Sequence, residues 1–92
     1  MEKEITLCIP KVQNILQKDY IHRKLKKINA GKVQSIIEKP IKNEKNYKRV
    51  LVKMRLNMSN DIGQYMMNHF SNGNCIKLVY HKSEYWRLVH AY

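Results

Sequence analysis

Arg49-Val50-Leu51-Val52-Lys53-Met54-Arg55-Leu56 alternates between two classes of side chain, and that alternation decides the fold. Successive residues of an extended chain point to opposite faces, so Val50, Val52, Met54 and Leu56 share one side, while Arg49, Leu51, Lys53 and Arg55 share the other. One apolar face and one largely cationic face describe a strand lying on a core with its back to water. Upstream, Pro40 through Lys48 (PIKNEKNYK) is polar and reads as a long connection between two strands, a tip reaching beyond the sheet. Before it, Lys32 to Glu38 is β-branched and reads as a further strand. Its register is open, because Ile36 and Ile37 are adjacent and only one can face the core.

Farther toward the N-terminus, Glu4 to Ile9 also alternates, with Ile5, Leu7 and Ile9 on one face and Thr6 and Cys8 on the other; Pro10, which has no N–H to donate, is expected to end this strand. Between the two strands the period changes. Ile21, Leu25 and Ile28 recur at helical spacing among His22, Arg23, Lys24, Lys26 and Lys27, which predicts a helix within residues 15–28. Its start is compatible with a capping box at Asn14 and Gln17 or with a beginning near Asp19. Asn29-Ala30-Gly31 after a lysine-rich last turn suits a glycine C-cap. Downstream of the central strand, Ser59, Asn60 or Asp61 can cap a second helix with Ile62, Met66 and Phe70 as its apolar stripe, and Asp61 with Gln64 has capping-box spacing. Two more extended runs, Cys75–Tyr80 and Tyr85–Ala91, follow across His81 to Glu84. The order is strand, helix, strand, strand, helix, short strand, strand. This is an α+β chain on the ferredoxin-like split βαβ plan (β-α-β-β-α-β), one domain over residues 1–92, with an antiparallel sheet carrying two helices on one face.

The charge is lopsided. Eighteen Lys and Arg stand against seven Asp and Glu in 92 residues, a net of +11. Thirteen of the basic residues fall between Lys18 and Arg55 with only Asp19, Glu38 and Glu44 among them. Such a concentration attracts polyanions and implies a salt-dependent affinity for phosphate backbones; a net charge this large exceeds what solubility requires of a small domain. No apolar run approaches the roughly 20 residues a bilayer crossing needs, and no secretory signal opens the chain, so membrane and exported classes drop out. Cys8 and Cys75 are far apart and form neither a disulfide framework nor a zinc motif, which points to reduced thiols in an intracellular setting, cytoplasm or nucleus. The four histidines are scattered. No paired acid and base, glycine-rich phosphate loop or nucleophile elbow is present, so neither an enzyme, a metal site nor a cofactor is expected.

Several segments together resemble an RNA recognition motif over nearly the whole chain. Leu7-Cys8-Ile9-Pro10-Lys11-Val12 corresponds to that family's first-strand hexamer, and Gly31 to Ile36 to its glycine-led entry into the second strand. Tyr47 to Met54 overlays the third-strand octamer, while Asn72-Gly73 and Trp86 to Ala91 fit the closing segment. The combination of CIPKV, KRVLVKM and YWRLVHA is also similar to small stand-alone proteins of this type encoded by large DNA viruses. The resemblance implies binding of RNA or single-stranded DNA on the open sheet face, where family members stack aromatic rings on bases. At the matching positions this chain carries Cys8, Arg49 and Leu51, none aromatic.

The expected contacts are therefore mostly electrostatic, with modest sequence preference. Arg49, Lys53 and Arg87 would meet phosphates or stack, Lys11 and Lys48 would contribute from the rims, Leu51 would form an apolar floor, and Tyr47 at the loop–strand junction would reach a base. Tyr85 and Tyr92 are further stacking candidates. Trp86 is expected to point inward with Leu88, His90 to be a partly buried structural residue, and the methionines to fill the core. The alternative partner is a protein. Leu51, Cys8, Val89 and Ile37 would then form an apolar interface with an adapter target or a second copy of the chain.

Overall fold

The computed structural model describes residues 1–91; Tyr92, one of the stacking candidates, lies outside the described residues. The elements are β1 (Glu2–Gln13), α1 (Lys18–Lys26), β2 (Gly31–Ile41), β3 (Glu44–Asn57), α2 (Asp61–Ser71), β4 (Ile76–His81) and β5 (Glu84–Ala91). All strand neighbours run antiparallel in one sheet of order β2-β3-β1-β5-β4. The molecule is a small α+β domain compatible with the split βαβ expectation, but it departs from that plan in strand count and order. A fifth strand is present because the segment before β5 pairs with it as a hairpin, outside the position where a four-stranded sheet would end.

The central strand is as its alternation predicts. Val50, Val52, Met54 and Leu56 are buried against Ile5, Leu7 and Ile9 of β1, Trp86 and Leu88 of β5, Ile21 and Leu25 of α1, and Met66 and Phe70 of α2. Both helices therefore cover the same side of the sheet, and the other side is open. Burial of these side chains, worth about 1.5–3 kcal/mol each before chain entropy is counted, is what holds the layers together. Trp86 turns inward and is 2% exposed. Its ring stacks on Tyr80 at 4.3 Å and meets Tyr20 of α1 edge-on at 6.2 Å.

Several local expectations are corrected. Pro10 does not end β1, which continues to Gln13. Between the pairs Ile9–Val50 and Val12–Lys48, Pro10 and Lys11 together oppose the single residue Arg49, a bulge in which the missing proline N–H costs no ladder bond. The supposed long loop after Pro40 is a tight hairpin. Ile41 pairs with Glu44, and Lys42-Asn43 makes the turn with Asn43 at a φ of 71°. Asparagine tolerates that left-handed conformation, so the polar run is mostly strand. At the end of α1 the left-handed residue is Asn29, φ 58°, and not Gly31. Gly31 serves close approach instead: a Cβ there would stand 1.9 Å from the Arg55 carbonyl oxygen across the β2–β3 pair.

The stripe of α2 is also shifted. Ile62 is exposed, and Gly63, Met66 and Phe70 face inward. Gly63 lets the helix start lie on the end of β3, where a Cβ would meet the Asn57 carbonyl oxygen at 2.1 Å. Asn60 is the N-cap, its Oδ1 accepting from the Ile62 N–H at 2.7 Å. Gln64 does not close a box with Asp61; its side chain donates to the Met58 carbonyl at 2.8 Å. The register of β2 is resolved by an irregularity at Gln34, after which Ile36 pairs with Val52 toward the core and Ile37 pairs with Leu51 on the open face.

Candidate nucleic-acid interface

The open face is assembled by register. Ile37 pairs with Leu51, Leu51 with Cys8, and Cys8 with Val89, so four apolar side chains from β2, β3, β1 and β5 line up in one row across the sheet. Ile37 is 45% exposed, and the other three are half-buried by their neighbours. Lys53 stands on one side of this row, beside Thr6 and Ser35. On the other side come Arg49, paired with Lys39, and Arg87, paired with Lys77. All five cations are exposed. Among the described residues none of the five is in an ion pair; the pairs present are Lys11–Glu44, Lys48–Glu38 and Arg55–Glu2.

Two tyrosines close the Arg49–Arg87 end of the face. Tyr47 lies opposite Gln13 at the end of β1, and Tyr85, next after the first residue of β5, lies opposite Val79. Each has a lysine over its ring, Lys11 at 4.5 Å and Lys77 at 4.8 Å. The arrangement leaves one ring face covered by a cation, with arginines next along both strands. Lys11 projects from the bulge and also reaches Glu44 at 3.2 Å, an exposed pair of small energetic weight.

Lys48 departs from its expected rim position. It has the parity of Val50, so it turns to the helix side, where it is only 7% exposed. Its Nζ donates to the Leu16 carbonyl at 2.6 Å and to the Glu38 carboxylate. Both groups compensate the buried ammonium, which would be costly if unpaired. Lys48 thus ties the β1–α1 connection to β2 and faces away from the open side. The remaining expected residues, Lys11, Tyr47, Arg49, Leu51, Lys53 and Arg87, all lie on the open side or its rim. Lys39 and Lys77 are additions to the expected set, whereas Tyr85, a stacking candidate from the sequence, does lie at this face. Their alternation with Ile36, Trp86 and the inward Ile76, Leu78 and Tyr80 of β4 was the available signal.

Cys8 occupies the centre of the row. Burial raises its thiol pKa above the ordinary value and the Arg49 guanidinium opposes that shift in part, so the sulfur remains a protonated, weakly polar surface. His90 is half-buried with its ring 5.7 Å from that of Phe70. Among the described residues there is no group of three or more His, Cys, Asp or Glu that could hold a metal ion, and no helix is long and apolar enough to cross a membrane. No protein-family model, curated protein or solved structure matches the chain.

Proposed function

We propose that this chain is a non-enzymatic domain that binds RNA or single-stranded DNA across its open sheet, on a ferredoxin-like plan extended by one edge strand and akin to an RNA recognition motif. The observation that carries the reading is the set of exposed cations, Arg49, Lys53, Arg87, Lys39 and Lys77, flanking an apolar row, none of them in an ion pair among the described residues although Glu4 shares a cleft with Lys53. Phosphates are the groups that such cations take, and the row from Ile37 to Val89 gives unstacked bases a greasy floor in place of the family's rings. Tyr47 and Tyr85 supply stacking at one end. Contacts of this kind read shape and charge more than base edges, so sequence preference is modest. The setting that suits the reading is an intracellular one, a virus-infected cell included.

Fluorescence anisotropy of labelled single-stranded RNA and DNA, titrated at two salt concentrations, tests it. Salt-sensitive binding that Arg49→Ala with Lys53→Ala weakens supports the sheet as the site. Binding that ignores this double variant moves the site elsewhere, and no binding at low salt sinks the proposal.

The alignment of Ile37, Leu51, Cys8 and Val89 into one row favours a second reading, in which this face docks a protein, as an adapter or as a homodimer. An apolar interface keeps its affinity as salt rises, and Leu51→Asp abolishes it. Phosphate binding instead weakens as salt rises, so the salt dependence is what separates the two readings, since an added carboxylate at Leu51 would also repel phosphates.

A further inference from the structure

The open face does not use the cations of α1. Lys18, His22, Arg23, Lys26 and Lys27 are exposed on the helix, on the far side of the sheet, with Asp19 as the helix's only acid. At the C-terminal end of α1 they are not isolated from the sheet. His22 and Lys26 line a cleft of about 280 Å³ with Gly31, Lys32 and Val33, at the outer edge of β2. No carboxylate lines it; Asp19 and Glu38 border a different cleft at the opposite end of the helix. The negative end of the helix dipole opposes an anion here, but it amounts to about half a charge and is outnumbered by Arg23, Lys24 and Lys26 in the last turn.

Lys32 connects the two surfaces. It lines the cleft and also pairs in register with Arg55, one row beyond the Ser35–Lys53 pair of the open face. A path of positive charge therefore runs from Lys53 through Arg55 and Lys32 to Lys26, around the free edge of β2. Arg55 stands opposite Glu4 in register, pairs with Glu2 at 3.8 Å and, with the Gln34 amide oriented to satisfy both its groups, donates from Nε to Gln34 at 2.9 Å; the ion pair is exposed, and a phosphate can displace it.

We infer that the cleft between α1 and the start of β2 is a second phosphate-binding site for the same strand of nucleic acid, so that the ligand leaves the open face and wraps the β2 edge. The inference rests on the open-face reading. It makes affinity depend on ligand length, since a strand long enough to cover the sheet alone cannot reach Lys26.

The test uses oligo(U) probes of about four and about twelve nucleotides, within the range of single-strand site sizes, with Lys26→Gln/Lys32→Gln as the variant. Lys18→Gln/Lys82→Gln, the same loss of charge at exposed positions away from the cleft, serves as the control. Each lost phosphate contact lowers the dependence of log affinity on log salt by about 0.7, so the variant is expected to lower the slope for the long probe by about 1.4. The short probe and the control pair should show no such change. Equal losses for both probes, or an equal loss from the control pair, overturn the inference. Failure of the open-face reading is seen separately, as indifference of the short probe to Arg49→Ala/Lys53→Ala.

Discussion

At the scale of single residues, Gly63 and Tyr80 carry predictions that depend on their immediate surroundings. A methyl group on Gly63 would collide with the Asn57 carbonyl, backbone that cannot swing aside, so Gly63→Ala should destabilise the domain by about 1–3 kcal/mol, read as a lower midpoint in chemical denaturation. Tyr80 is nearly buried, and its hydroxyl donates to Glu84 at 2.9 Å. Burial first, then that carboxylate, push its pKa up to about 12 from 10.0. The folded state therefore keeps a proton that the unfolded chain gives up above pH 10. Stability is full below pH 10 and falls between pH 10 and about 12, by at most about 1.4 kcal/mol per pH unit. Tyr80→Phe should flatten that part of the profile, measured as denaturation midpoints at pH 9 and pH 11. An unchanged slope would mean that another group causes it.

At the scale of elements, the bulge in β1 and the parity of β3 sort the basic residues between the two sides of the sheet. Lys48, one residue from Arg49, is bound to Leu16 and Glu38 on the helix side. Lys48→Met should therefore leave single-strand affinity and its salt slope unchanged in the anisotropy titration, whereas Arg49→Ala weakens both. A Lys48 effect as large as that of Arg49 would refute the separation of the two faces. Cys8 offers a second reading of the same geometry. Cys75 is exposed after α2, while Cys8 is half-buried in the apolar row with its thiol pKa raised. Iodoacetamide should label Cys75 first, followed by mass spectrometry, and a bound oligonucleotide should slow labelling of Cys8 without altering that of Cys75.

For the whole molecule, net charge and surface layout act together. Three phosphate contacts, at Arg49, Lys53 and Arg87, imply a slope of log affinity against log salt of about −2, so raising salt from about 50 to about 200 mM should weaken binding roughly 16-fold. A flat dependence would shift the weight to the apolar row and to a protein partner. In that case sedimentation at high salt should reveal a dimer or a captured target that Leu51→Asp disrupts.

Read alone, the sequence determined the α+β class and the succession of extended and helical segments along the chain, the inward residues of β1 and β3, the inward turn of Trp86 and the concentration of charge. Each of these is written in local periodicity or composition, which neighbours in space do not alter. What needed the tertiary structure was every feature that depends on pairing across strands. Pro10 could stay within β1 only because two residues there oppose Arg49. PIKNEKNYK became a hairpin because Asn43 accepts a left-handed turn once β2 and β3 are paired. Ile37 was assigned to the open face by the irregularity at Gln34, and Lys48 went to the helix side because the hairpin extends β3 back through it, where Glu38, ten residues earlier in the chain, accepts its ammonium. Alternation tells which residues share a face of one strand. Only the register between strands tells which of those faces, and which charges, come to lie side by side.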